Sequence, residues 1–421
     1  MNRGTTDTLT LAESFGGSSS LFMASPRHAL LTQGLRAALE IEGGYGQWEG
    51  LPQRVRSAFR DVGVGDEGSP AIVVGAMPFD EALPTRLVFP EHVRWVTTAN
   101  EAPVPTAAPP VTTSREACHA SDDAAYSDHV RKAIERIRST ALEKVVLARS
   151  VDLTMPSRID VPMLLRNLVL CNPDAYTFAV NIPAQEGAGF HRRTSGPRGG
   201  KVLLGASPEL LVSRSKLDVV ANPLAGSAPR SVEPVEDGRR ANTLLNSRKE
   251  RREHAFVVEA VAEALRPFCA ELRIPREPSL LGTGAMWHLS TEIRGRLRDP
   301  STCSLRLATA LHPTPAVCGT PRAEAMGAIR DIEGFDRGFY AGFVGWSDAN
   351  GDGEWVVTIR CGEVEGRNLR AFAGAGIVDG SSPEDEFIET SAKLGTILST
   401  LRHETEGTMR RGRRGTVSLR D

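Results

Sequence analysis

Hydrophobic residues along the chain follow two rhythms. In "EKVVLARSVDL" (143–153), "KVLLGASPELLVSR" (201–214), "RGFYAGFVGW" (337–346), "EWVVTIRCGEV" (354–364) and "NLRAFAGAGIV" (368–378) they come in short blocks rich in Val and Leu, the pattern of strands. Within "EWVVTIR", Trp355, Val357 and Ile359 fall on one face and Val356, Thr358 and Arg360 on the other, which predicts one continuous strand. The second rhythm is helical. In "KERREHAFVVEAVAEALRPF" (249–268), Val257, Ala260, Val261, Ala264 and Leu265 recur at the spacing of one buried helix face. "SSPEDEFIETSAKLGTILSTL" (381–401) predicts a further helix with a marked start: Ser382 to cap it, Pro383 in the first turn, Glu384 and Asp385 at the positive end of the dipole. Strands and helices interleave irregularly, so the expected class is mixed α/β.

The breaks between these segments divide the chain. Residues 1–25 are polar and rich in Gly and Ser, and are expected to be mobile. "EAPVPTAAPPVTTSREACHASDD" (101–123) reads as a Pro/Ala/Thr loop, and "EGAGFHRRTSGPRGGK" (186–201) as a long exposed loop between strands. The apolar pattern stops after Leu401, leaving a basic tail over 403–421 that is expected to be disordered and solvated. A chain of 421 residues suggests two or three domains on the prior of roughly 150 residues each. A net charge of −2 gives no field for nucleic acid. No secretory signal and no stretch of about 20 apolar residues is found, so a cytoplasmic location is expected. Six scattered cysteines without a C-x-x-C pair are expected to be reduced.

"SDANGDGEWV" (347–356) matches the opening of an EF-hand, but loop position twelve, which must be a bidentate carboxylate, is Ile359. With strands on both sides, the Asn-Gly and Asp-Gly pairs serve a hairpin turn instead. Chemistry is carried elsewhere. Glu253 sits one turn before Val257 at the edge of a buried helix face, and Glu386 and Glu389 share a face three residues apart. Taken singly each is an ordinary helix carboxylate; brought together, three such acids suit a hard cation such as Mg²⁺. Lys393, four residues beyond Glu389, is either its surface partner or a cation for an anionic ligand. Arg360 offers a fork for a carboxylate. Gly374, Ala375 and Gly376 in "AGAGIV" offer backbone N–H groups to an anion, though the run is no dinucleotide fingerprint because Asp379 stands where the third glycine belongs. Lys144 opens a strand and Glu209 follows a Ser-Pro turn; enclosed, the first becomes a base and the second a proton donor. His288 and His312 lie on apolar segments, where a histidine is more often structural than a ligand.

The blocks "KVVLAR", "GASPELL", "PLAGSAPR", "KERREH", "WHLSTEIRG", "LHPTPAVCGTP", "GFVGWSDANGDGEWVVTIRC", "FAGAGIV" and "SSPEDEFIETSAKL" occur in the order seen in chorismate-using enzymes. That family includes isochorismate synthase, salicylate synthase, anthranilate synthase component I and aminodeoxychorismate synthase. The resemblance spans about 125–400 and is nearest to the isochorismate synthases of catechol siderophore pathways. It implies one large α/β domain over 26–402, two big layered sheets with helices outside, in place of several domains. It implies Mg²⁺ held by Glu253 and Glu389, with Glu386 acting through water, Arg360, Lys393, His288 and the 374–376 backbone as substrate contacts, Lys144 as the base that activates water and Glu209 as the acid. "KERREH" has Glu250 where the family's motif usually has Asp. The implied reaction is chorismate to isochorismate, without a redox cofactor or an amidotransferase partner; the resemblance leaves the oligomeric state open, and a monomer is expected. Salicylate synthase and the menaquinone-pathway isochorismate synthase are the alternatives the resemblance leaves.

Overall fold

The computed structural model describes residues 3–63, 71–97, 120–182 and 200–412. Two nine-stranded sheets and one of three strands form its frame. Across the first sheet the strands are Gly319–Thr320, Lys144–Thr154, Asn368–Ile377, Cys361–Glu365, Lys201–Ser207, Tyr176–Ile182, Ser19–Ala24, His28–Gln33 and His92–Thr97. Across the second they are Cys269–Arg273, Ile293–Leu297, Asp218–Asn222, Leu210–Ser215, Gly353–Val357, Phe343–Asp348, Ile72–Met77, Thr85–Phe89 and Ala37–Ile41. The small sheet is Leu224–Pro229, Met286–Ser290 and Ser279–Gly282.

The chain crosses between the two large sheets at several points, and two of these crossings place the site. One runs from Lys201–Ser207 in the first sheet, through Pro208 and Glu209, into Leu210–Ser215 in the second. Pro208 has no N–H for a ladder, and the Glu209 N–H donates to Ser207 Oγ at 3.2 Å instead. The other runs from Gly353–Val357 in the second sheet, through 358–360, into Cys361–Glu365 in the first. Here "EWVVTIRCGEV" departs from the single strand expected of it. Arg360 takes a φ of 53°, a left-handed conformation that no pleated strand tolerates, and alternation ends with it. The crossings are stitched together: the Val357 N–H donates to Glu209 O at 3.1 Å, and the Ala206 N–H to Arg360 O at 3.2 Å.

The main core includes Met77, Phe178, Phe343, Trp355 and Val356, all fully buried. A second core includes Phe22, Ala179, Leu204 and Ala371 from the first sheet, packed with Leu11, Leu164, Leu165, Leu394 and Ile397 from the helices Arg3–Glu13, Val161–Cys171 and Pro383–Gly412. Residues 1–25 thus differ from expectation: after the first two they fold as a helix and a strand, because Leu11, Ala12, Phe15, Leu21, Phe22 and Met23 supply the apolar surface that their Ser and Gly neighbours hide in the composition. The last helix likewise runs on to Gly412, into the stretch expected as tail. The calls at 101–119, 186–199 and 413–421 lie outside the described residues. The hairpin over 348–353 consumes its own acids. Asp348 Oδ1 accepts from the Asp352 N–H at 2.8 Å, and Asp352 Oδ1 accepts from the Lys216 N–H at 2.6 Å and from Arg214 Nη1 at 3.0 Å.

Candidate active site

The crossings, the end of the Lys144 strand, the small sheet and two helices meet around one cleft. Its lining includes Lys144, Glu209, Glu253, His288, Arg360, Gly374, Gly376, Glu386, Glu389 and Lys393. These come from sequence positions more than 240 residues apart. Of the site residues expected from sequence, Ala375 alone does not line it. Successive residues of a strand point to opposite faces, so Gly374 and Gly376 share the cleft side and Ala375 is turned away, 1% exposed.

The two glycines earn their place by volume. A Cβ on Gly376 would lie 2.9 Å from Glu253 Oε1 and 2.9 Å from Lys144 Cε, and a Cβ on Gly374 would lie 2.9 Å from the Tyr340 hydroxyl. Lys144 Nζ sits 2.7 Å from Glu253 Oε1. Lys393 Nζ donates to Gly374 O at 2.8 Å and stands 2.5 Å from Glu389 Oε1, which also accepts from Ser227 Oγ at 3.0 Å. Arg360 Nη2 approaches His288 Nε2 at 3.2 Å. A guanidinium only donates, so this nitrogen carries no proton and His288 is neutral. Burial, together with the charges of Arg360 and Lys393, holds its pKa well below the usual histidine value.

Glu209 is 3% exposed. Burial pushes its pKa up to about 8, against the pull of the Leu224 backbone and of the charges on Arg360, Lys144 and Lys393. It therefore holds a proton at neutral pH. Burial, reinforced by the negative charge of Glu389, raises Glu386 to about 7, and burial with the charge of Glu253 raises Glu250. Glu389 goes the other way: burial raises it, but Lys393, Ser227 and Arg360 outweigh burial and hold it below the usual carboxylate range. Five glutamates thus border one cleft, and the charges of Glu253 and Glu389 add to burial in raising Glu250 and Glu386, the field that a divalent cation relieves. Among the described residues no three acids, histidines or cysteines are already closed into a cage. Glu253 leans on Lys144 and Glu389 on Lys393.

Several contributors escape a reading of the sequence. Glu250 borders the cleft itself, where the motif showed only a substituted neighbour of the ligand. Ser227 steadies Glu389, and its signal was the "PLAGS" block. His254, beside Glu253, bridges Ala225 O (3.2 Å from Nδ1) and Thr291 Oγ1 (2.7 Å from Nε2), tying the helix Arg248–Leu265 to the small sheet and its flank. Tyr340 adds an aromatic wall, stacked on Phe372 at 5.1 Å. His312 is structural: Nε2 donates to Phe79 O at 3.0 Å, and its ring packs on Trp48 and Phe343.

The model of a family described as chorismate binding enzyme matches residues 80–402. The chain belongs to that chorismate-binding family. Within it, the chain is 48% identical over 397 residues to isochorismate synthase DhbC of Bacillus subtilis, covering 91% of this chain and 93% of that one. It is 38% identical over 385 residues to the vibriobactin-specific isochorismate synthase of Vibrio cholerae, covering 90% and 91%. A crystal structure from Bacillus anthracis, described as a 2,3-dihydroxybenzoate-specific isochorismate synthase, superposes with a TM-score of 0.83 at 46% identity, covering 94% of this chain and 99% of that one. The layered α/β architecture expected from the sequence is therefore that of this chorismate-binding enzyme. No described helix is long and apolar enough to cross a membrane.

Proposed function

We propose that the protein is an isochorismate synthase, an isomerase that interconverts chorismate and isochorismate, and that it supplies a 2,3-dihydroxybenzoate siderophore route. One observation carries the reading of the mechanism: a lysine and a glutamate that burial keeps protonated border the same cleft. Water adds at C2 of the ring, the ring double bonds shift, and the C4 hydroxyl leaves. Lys144 takes a proton from the incoming water, and Glu209 gives one to the departing hydroxyl, which leaves as water. Atoms balance, so substrate and product are isomers.

Arg360 binds the pyruvyl carboxylate through its fork. Lys393 and the N–H groups beside Gly374 and Gly376 hold the remaining anionic oxygens. Glu253 and Glu389 would hold Mg²⁺, with Glu386 and Glu250 in support. The donor set fits, being all oxygen, with Glu386 and Glu250 raised by burial and by the charges of Glu389 and Glu253. Bound there, Mg²⁺ supplies charge stabilisation at the ring carboxylate. The Lys144–Glu253 contact must open before the amine can offer a lone pair to water. Glu253 therefore partners the lysine in the free enzyme and would hold the cation once it is bound.

The test is product analysis by NMR after incubation with chorismate and Mg²⁺. Isochorismate is expected. Release of pyruvate with salicylate would replace the isomerase by a lyase, and unchanged chorismate would leave only a binding protein.

A further inference from the structure

The strand that carries Lys144 is stabilised unevenly. On one side Lys144–Thr154 pairs along nearly its whole length with Asn368–Ile377. On the other, among the described residues, the strand ladder holds two pairs, Gly319 opposite Val145 and Thr320 opposite Lys144. The Val146 N–H still donates to Cys318 O at 2.8 Å; past that bond no described strand pairs with this buried edge, and an unmade buried hydrogen bond costs about 1–3 kcal/mol. Two side chains fill the gap. Arg337 Nη2 donates to Val146 O at 2.7 Å. Glu333 Oε1 accepts from the Ala148 N–H at 2.7 Å. Together they present a donor and an acceptor two residues apart, as a neighbouring strand does.

We infer that Glu333 and Arg337 are positioning residues for the reaction, a surrogate strand that fixes Lys144 and the adjoining wall of the cleft. The inference rests on the proposed role of Lys144 as base. The same guanidinium donates from Nη1 to Val317 O at 2.8 Å, and from Nε to Glu333 Oε2 at 2.8 Å. A further contact, Arg337 Nη2 to Glu333 Oε1, makes the pair bidentate. Their side chains are 3% and 1% exposed, and the Phe79 ring lies 4.3 Å below the guanidinium. Neither residue lines the cleft, whereas Val146 and Val317, whose carbonyls Arg337 holds, both do. So does Tyr340, whose N–H donates to Arg337 O at 2.9 Å. The charged pair thus ties together two walls, and the Arg337 backbone joins a third.

Stability alone does not account for the pair. Buried ion pairs can often be exchanged for apolar residues of similar volume with no loss of stability. What carbon cannot supply is the hydrogen bonding to Val146 and Ala148, next to the base. The double variant Glu333→Leu/Arg337→Met separates the two roles. Expected is a variant that folds with a lowered thermal midpoint, because Val146 O, Val317 O and the Ala148 N–H lose their partners, and that shows, well below that midpoint, a kcat for chorismate lower by about 10- to 100-fold with a KM changed less than about threefold, because misplacing a reacting group costs rate more than binding. Glu333→Gln, which keeps an acceptor for Ala148, is expected to recover most of the rate. Should the double variant not fold, Arg337→Lys, which keeps the charge and loses the fork, carries the same kcat test. A folded variant without the fork whose kcat stays within twofold, beside a Lys144→Ala enzyme that is inactive, overturns the positioning role alone. Full turnover in Lys144→Ala removes the assignment of the base, and the inference with it.

Discussion

Glu209 and Glu354 occupy opposite ends of neighbouring antiparallel strands, and both are buried. Burial lifts both, Glu209 to about 8 and Glu354 to about 7. Their surroundings differ. Glu209 looks into the cleft, toward the charges of Arg360, Lys144 and Lys393. Glu354 has His28 Nε2 at 3.5 Å, and its charge acts on the buried Tyr176. Around His28 stand Trp95 and Trp346, with ring centroids at 5.3 and 6.0 Å. Burial lowers His28 to about 4, so near neutral pH the contact joins a neutral ring to an acid that is about half protonated, and is no ion pair. A protonated buried glutamate is therefore not by itself a catalytic acid. Cations that can receive an anionic substrate, and a cleft that admits one, make the difference.

That contrast can be broken at either end. The largest effect is expected at Glu209: Glu209→Gln should cut kcat about a thousandfold with the fold intact, as measured by turnover and thermal melting. Glu354→Gln should leave kcat within about twofold, and equal losses in the two variants would erase the distinction. Lys144→Ala should cost about a hundredfold or more in kcat, with little change in melting temperature. Next comes Glu253→Gln, which should raise the Mg²⁺ concentration needed for half-maximal rate by at least about tenfold; an unchanged titration removes Glu253 from the cation site. Gly376→Ala, placing a methyl against Glu253 and Lys144, should lower kcat by about tenfold.

The two acids also predict separate pH responses. Glu209 must be protonated to donate, so kcat should fall as pH rises through about 8. Glu354 bears on stability. Its pKa is raised on folding from 4.5 to about 7, so between these values the folded chain binds more protons there than the unfolded one, and stability falls as pH rises. The part due to Glu354 should end above about 7, where both states are ionised, and Glu354→Gln should make the decline shallower in denaturant titrations at pH 5, 6, 7 and 8, the remainder coming from Glu209 and Glu386, which burial also raises.

The sequence displayed strands, helices and the hairpin because each advertises itself locally. Alternation in "EWVVTIR" and the helical stripe from Val257 to Leu265 need no partner to be seen. The departures arise where the partner decides. Arg360 looks like one more strand residue until two sheets compete for its chain, and Ala375 looks equivalent to its glycine neighbours until the pleat assigns it a side. Leu11 and Phe15 are lost among serines and glycines until the first sheet gives them a surface. Of the site, Lys144, Glu209 and Arg360 were visible as polar residues on strand-like segments and Glu253 at the edge of a buried helix face, and the resemblance to chorismate-using enzymes said that they meet. Glu333 and Arg337 were invisible, because a bond to a bare strand edge leaves no pattern in the letters.

Glu209 and Arg360 stand on backbone segments that hydrogen-bond each other rather than on separate elements brought together by packing. In mechanical terms the pair is a fixed gauge: the span between proton donor and carboxylate fork is set by main-chain geometry and survives changes that loosen the core. Adding or deleting one residue in either segment resets that span at once, so the length of these short connectors matters more to substrate registration than the identity of most residues around them.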